Sequence, residues 1–159
     1  MRRDQSINPL PAAGVAFIIY LMLSLIYFGA TGDYSQMCLD SGGDAPIFIW
    51  CLNWWPWAIS HGLNPFITYH VWYPHGFNMT WVTSVPGAAL LALPVTLLAD
   101  AVVSFNALSL LAPALSAWAG FLLARYVTRD THSSFIAGYL LGFSSYELGE
   151  MMLAHLIST

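Results

Sequence analysis

Apolar positions along this chain fall into four blocks that differ in length and interruption. From Ala12 to Ala30 no residue is charged, a run of 19. As a helix it reaches about 28 Å, enough to cross the hydrocarbon core of a bilayer. A secretory leader has a shorter apolar centre, and Tyr27-Phe28-Gly29-Ala30 is a poor cleavage site, so the run predicts a first membrane-crossing helix. Val102 to Ala124 is a second such run, 23 residues without a charge, with a kink predicted at Pro113. Ser133 to Tyr146 is a third, shorter one. The fourth, Val85 to Ala99, is broken by Pro86, Gly87 and Pro94. Its length reaches only about 23 Å as a helix, short of a bilayer's roughly 30 Å.

Between the first crossing and these later blocks lies a long segment, residues 31–84, that reads differently. It carries Asp33, Asp40 and Asp44 and no Lys or Arg. After Asp44 the apolar spacing turns helical: Ile47, Trp50/Cys51, Trp54 and Trp57/Ala58 recur at intervals of three and four. This predicts a short helix over Pro46–Trp57, with Asp44 at the N-cap, Pro46 in the first turn and Pro56 kinking or ending it. So aromatic a face, with Trp50, Trp54, Trp55 and Trp57, fits a helix lying along the membrane surface, anchored by its rings. Gly62, Asn64-Pro65 and Pro74-His75-Gly76 divide the rest into turns.

The positive charges set the topology. They are four, all arginine: Arg2 and Arg3 before the first block, Arg125 and Arg129 after the second. Cationic loops face the cytoplasm. If residues 85–99 cross the membrane, Arg125 and Arg129 land outside. If that block is re-entrant or juxtamembrane, both pairs are cytoplasmic, and length, prolines and charge bias favour this arrangement. The chain then divides into a span at 12–30, an external loop at 31–84, a re-entrant or juxtamembrane piece at 85–99, a span at 102–124, a cytoplasmic loop at 125–132, a span at 133–146 and an external segment at 147–159. The fold class expected is all-α: a polytopic transmembrane helical protein whose long external loop carries juxtamembrane helices.

Composition agrees. Charged residues make up 8% of the chain, hydrophobic ones 58%, and mean hydropathy is +0.65. Soluble domains carry roughly 25% charged residues, so lipid is the expected solvent and a membrane lipid the expected neighbour. With no basic patch, nucleic-acid binding is excluded. Cys38 and Cys51 both fall in the long loop, where an oxidising face would permit pairing. Asn78-Met79-Thr80 fits the glycosylation sequon. The apolar pattern runs to Thr159 without a capping or turn signal, which suggests the N-terminal piece of a longer polytopic protein.

Two groups of residues could carry chemistry. Asp44 and Asp40 flank Ser41-Gly42-Gly43, where glycines let the backbone turn tightly against a ligand. A carboxylate there could take a proton from an acceptor hydroxyl or amine, or hold a cation; it could equally be a plain helix cap. Glu147 and Glu150, three apart, precede His155. Such a group could hold a divalent ion, Mg²⁺ or Mn²⁺, or could simply face water at the interface. His61, His70 and His75 lack ligand spacing, although His75 sits in a turn from which it could reach a phosphate. The tryptophan cluster, Trp54 at its middle, is a membrane anchor on one reading and a sugar-stacking platform on the other. Walker, HExxH, CxxC and GxSxG patterns are all missing.

Gly43-Asp44 with the tryptophan-rich helix, Tyr73-Pro74-His75-Gly76-Phe77-Asn78, Thr83-Ser84-Val85-Pro86 and Gly142-Phe143-Ser144-Ser145-Tyr146 together resemble bacterial membrane proteins of the glycosyltransferase-like kind. The arrangement of a span, a long acidic external loop and further spans is similar to the N-terminal module of the GT-C superfamily of membrane glycosyltransferases. The resemblance implies transfer of a sugar from a polyprenyl-phosphate donor at the outer face of a bacterial inner membrane. By position it puts Asp44, with Asp40 second, in the role of the acid acting on the acceptor. Glu147 and Glu150 are the nearest match to a second external acidic site that holds the metal or the donor phosphate. From the residues themselves, His75, Trp54 and Glu147 are the candidates for substrate contact, and Glu150 and His155 those for a metal. The sequence departs from the pattern in lacking Asp-x-Asp and any Arg near residues 147–155. A transporter or flippase-like protein with an external gating loop is the alternative, and a non-catalytic membrane scaffold a third.

Overall fold

The computed structural model describes residues 9–28 and 44–146. They form five helices and one two-stranded ribbon: α1 (Pro9–Phe28), α2 (Ala45–Ser60), β1 (Ile67–Thr68), β2 (Phe77–Asn78), a 3₁₀ turn (Met79–Trp81), α3 (Pro86–Leu98), α4 (Ala101–Thr128) and α5 (Thr131–Gly142). The chain is mostly helical, and α1 and α4 are long and apolar enough to cross a membrane. It divides into two compact units that share α4, one taking the helix up to Ser109 and the other from Leu110 onward.

The unit built on α1, the later part of α4 and α5 buries small, polar and aromatic groups and exposes large aliphatic ones. Ala16, Tyr20 and Ser24, four apart and so on one face, are fully buried against Ala114, Ala117 and Phe121. The opposite face of α1 leaves Val15, Ile18, Ile19, Met22, Leu25 and Ile26 exposed. Polar side chains pin the helices: Ser24 Oγ donates to the Leu110 carbonyl at 2.6 Å, and Trp118 Nε1 donates to that of Ala13 at 2.9 Å. Small residues bring the backbones close. At Gly142 an added Cβ would run into Ala117 and the Pro113 carbonyl.

Two boundaries here differ from those read off the apolar blocks. α4 runs on to Thr128, so Arg125 lies in its last turn, where it donates to the Arg129 carbonyl at 3.1 Å. A cation suits the negative end of the helix dipole. The turn before α5 is therefore only Arg129-Asp130. Asp130 caps α5, accepting from the Ser133 N–H at 2.7 Å. α5 stops at Gly142 and reaches about 18 Å at 1.5 Å per residue.

In the other unit α2 packs on α3 and on the first turns of α4. Its core holds Phe48, Cys51, Leu52, Trp54, Trp55 and Ala58 from α2, Met79, Val85, Ala89 and Ala92 from the segment beyond, and Ala101 and Phe105 from α4. Two of the four α2 tryptophans are thus in the core, Trp54 and Trp55 at 5% and 4% exposed, whereas Trp57 is 37% exposed. Trp54 and Trp55, expected as ring anchors at a membrane surface, are covered by protein instead, while Trp57 stays open. Pro56 does not end α2, which continues to Ser60. Proline costs the carbonyl four residues earlier its partner and crowds the preceding turn, but burial of Trp54, Trp55 and Ala58 on both sides of it holds the helix together.

The stretch after α2 folds into the ribbon, with Ile67 opposite Asn78 and Thr68 opposite Phe77. Indole N–H groups tie it down. Trp54 Nε1 donates to the Pro65 carbonyl at 2.8 Å and Trp55 Nε1 to the Ser84 carbonyl at 2.7 Å. α3 then opens from Val85, whose backbone is left-handed (φ 42°), a conformation that β-branched residues rarely adopt. Asp100 Oδ1 accepts from the Val102 N–H at 3.0 Å at the start of α4, and the hydroxyls of Thr96 and Ser104 meet at 2.8 Å between α3 and α4.

Candidate functional site

Asp44 sits at the N-cap of α2, with its carbonyl accepting from Ile47 N (2.9 Å) and Phe48 N (3.3 Å). Its side chain makes no cap hydrogen bond and the residue is exposed. Pro46 in the first turn has no N–H to offer, and its ring pre-sets the backbone for the helix. The positive end of the α2 dipole favours a carboxylate here. Of the acids among the described residues, Asp44, Asp100 and Asp130, the latter two hold backbone N–H groups at helix starts. From residue 45 to residue 99 the sequence has no Asp, Glu, Lys or Arg. Asp44 is therefore the one formal charge that this unit carries in the stretch 44–99.

The first turn of α2 also forms one wall of an apolar cleft of about 350 Å³, lined by Pro46, Ile47, Trp50, Val71, Phe77, Met79 and Val82. That volume falls within the roughly 300–1,000 Å³ of small-ligand sites. A second hollow, about 300 Å³, is lined by Trp54, Leu63, Asn64, Ile67, Tyr69 and His70. Around it the rings are stacked on one another. Trp50 lies flat on Trp54 at 5.4 Å between centroids, His70 approaches both Trp54 and Trp57 edge-on at 5.4 and 5.3 Å, and His61 stacks on Trp57 at 4.4 Å.

Trp54 is thus a structural ring: buried, with its N–H given to Pro65 and its faces against Trp50 and Trp57. His75 is exposed in the turn that closes at Gly76, whose φ of +75° and close approach to Tyr69 suit glycine alone. Asn78, the sequon asparagine, accepts from both the N–H and the hydroxyl of Thr80, at 3.0 and 2.8 Å. Cys51 is fully buried, and desolvation pushes its thiol up to about 11. Asp40, Cys38, Glu147, Glu150 and His155 lie outside the described residues. Among the described residues no three His, Cys, Asp or Glu side chains come together as a metal site.

What sequence reasoning missed was the cleft beside α2. Its walls come from four short pieces, and the spacing of Val71, Phe77, Met79 and Val82 follows neither a helix nor a strand period that could have shown it. Comparison with protein-family models, curated proteins and solved structures finds no match to this chain.

Proposed function

We propose that this chain belongs to a multi-pass GT-C-like glycosyltransferase of the bacterial inner membrane, moving a sugar from a polyprenyl-phosphate donor to an acceptor on the external face. The observation that carries the reading is Asp44: an exposed carboxylate on a helix start, in a unit otherwise free of acids and cations from residue 45 to 99. Around so few charges a carboxylate is a marked feature, and its position is fixed by a helix rooted in a packed core. The exposed aliphatic face of α1 beside its small, hydroxyl-bearing buried face supports a lipid surround, since helices in lipid pack through small and polar residues.

In the proposed reaction Asp44 takes the proton from the acceptor hydroxyl or amine. The acceptor atom bonds to the anomeric carbon, the carbon–oxygen bond to the lipid phosphate breaks, and polyprenyl phosphate leaves with the electron pair. Glu147 lies near the donor phosphate in this reading, and Glu150 and His155 are the residues to hold a Mg²⁺ or Mn²⁺ ion that would offset the phosphate's charge.

The test is turnover by the full-length protein in membranes, supplied with radiolabelled polyprenyl-phosphate hexoses and pentoses. A positioned base contributes roughly 10²–10⁴-fold. Asp44→Asn is expected to lower transfer by about 100-fold or more at unchanged protein level. Transfer by Asp44→Asn at the wild-type rate overturns the role given to Asp44, and absence of transfer from every polyprenyl-phosphate donor overturns the reading.

A further inference from the structure

The tryptophans of α2 are largely buried, but another aromatic set is not. Trp72, Tyr73 and Trp81 are 71%, 84% and 82% exposed, and Tyr69, Phe66 and Ile67 are also open. All lie on the short path from the end of α2 through the ribbon and the 3₁₀ turn. Rings this large stay in water only at a cost of roughly 25 cal/mol per Å² of apolar surface.

Three independent observations say what covers them. The stretch from residue 45 to 99 contains no Asp, Glu, Lys or Arg, only His61, His70 and His75. A protein partner held through charge pairs finds no matching group, and an anionic surface finds no lysine or arginine. Next, the unit's core includes Ala101 and Phe105, the first turns of α4, a helix long and apolar enough to cross a membrane. Only Ala99 and Asp100 separate α3 from α4, so the unit continues directly into a helix of membrane-crossing length and composition. α3 itself exposes Leu90, Leu91, Leu97 and Leu98 on the side away from its buried Ala89 and Ala92. Third, Trp72 adjoins the apolar cleft: it contacts Phe77, a residue of the cleft wall, edge-on at 5.0 Å between centroids, and Val71 and Val82, chain neighbours of Trp72 and Trp81, line the same cleft.

We propose that the face carrying Trp72, Tyr73 and Trp81 docks on the headgroup layer of a neutral lipid bilayer. Indole and phenol rings partition to that depth because one part is apolar and another donates hydrogen bonds. With no cations on the face, the docking needs no anionic lipid and resists salt. The inference rests on the membrane part of the proposed function and not on its transfer chemistry.

The experiment uses the full chain, reconstituted in phosphatidylcholine vesicles with and without bromine on the acyl chains. Tyr73→Cys and Trp81→Cys, each in a Cys38→Ser background, carry an environment-sensitive fluorophore; the buried Cys51 remains as it is. At both positions quenching by brominated lipid is expected to exceed quenching by aqueous iodide several-fold, equally at low and high salt and without anionic lipid. Strong iodide quenching without bromolipid quenching overturns the proposal, placing the face in water. Shielding from both quenchers also overturns it, since a protein partner or a second copy would then cover the face. So does quenching that needs anionic lipid or vanishes in salt. No donor or turnover enters this measurement, so its failure and the failure of the glycosyltransferase reading are separately visible.

Discussion

Tyr20 and Phe135, 115 residues apart in sequence, are joined by one hydrogen bond: the tyrosine hydroxyl donates to the phenylalanine carbonyl at 2.9 Å. Their rings also approach, at 6.0 Å between centroids. This ties the first helix of the chain to the last described one, and it works only because the neighbouring position, Gly138, has no side chain. A Cβ there would collide with Tyr20 Oη and with the Ala117 carbonyl.

Gly138→Ala is therefore expected to destabilise the protein by about 1–3 kcal/mol, the cost of overpacking a filled core. Gly14→Ala, on α1 where an added Cβ meets nothing within 4 Å, is the control and should be neutral or slightly stabilising, because alanine is the better helix former. Thermal unfolding of both variants in the same detergent checks this; equal midpoints would contradict the packing described.

Trp55→Phe is expected to cost about 1–3 kcal/mol, because it leaves the Ser84 carbonyl without its 2.7 Å indole donor in a buried setting. Trp57→Phe, at a ring 37% exposed, should cost clearly less. The comparison is a denaturant series on the two variants. A larger loss at Trp57 would reverse the assignment of core and surface on α2.

Cys51 supplies a prediction about alkaline pH. Burial raises its thiol from 9.0 to about 11, so the folded state resists ionisation that the unfolded state allows. Stability should hold below pH 9, then fall between there and about 11, and Cys51→Ala should flatten that decline. The same burial predicts that the Cys51 thiol is not alkylated near pH 8 until the protein is denatured.

Asp130 gives the opposite sign. The Ser133 backbone N–H, with the Ser133 hydroxyl beside it, holds the carboxyl below its ordinary 3.8. Its contribution is present above that value and is lost as the pH falls through the folded pKa. The protection of the first turn of α5 against hydrogen exchange, measured relative to the intrinsic rate at the same pH, should therefore fall on acidification, and in Asp130→Ala it should be low at every pH. Persistent protection in Asp130→Ala would mean that Asp130 is no cap.

Much of the helical frame was legible in the sequence. Long uncharged runs announced α1 and α4, because such runs have few other uses, and Asp44 with Pro46 marked the start of α2. What the rings of α2 face was not legible. Trp50, Trp54 and Trp57 at helical spacing define a stripe, but the stripe looks alike whether lipid lies against it or, as at Trp54, the Pro65 carbonyl and the His70 ring. Those partners come from a turn-rich segment with no periodicity to announce them. The cap at Asp130 is legible in Asp130-Thr131-His132-Ser133, a carboxylate three residues ahead of the N–H that it accepts from. The ribbon was hidden by its shortness: two residues per strand give no alternation to detect. For the candidate site, the sequence singled out Asp44 but gave no hint of the cleft beside it, which only the meeting of four distant pieces creates.

The charge-free stretch from residue 45 to 99 also bears on how the chain is made. In the proposed orientation this stretch must pass through the insertion machinery before α4 exists, and lysine or arginine within it would hold it back on the cytoplasmic side. None is there. Arg125 and Arg129 follow in the last turn of α4 and just after it, and in that orientation they would remain on the cytoplasmic side. Orientation would then be settled by the order in which charges leave the ribosome, before any of the tryptophans has found its place.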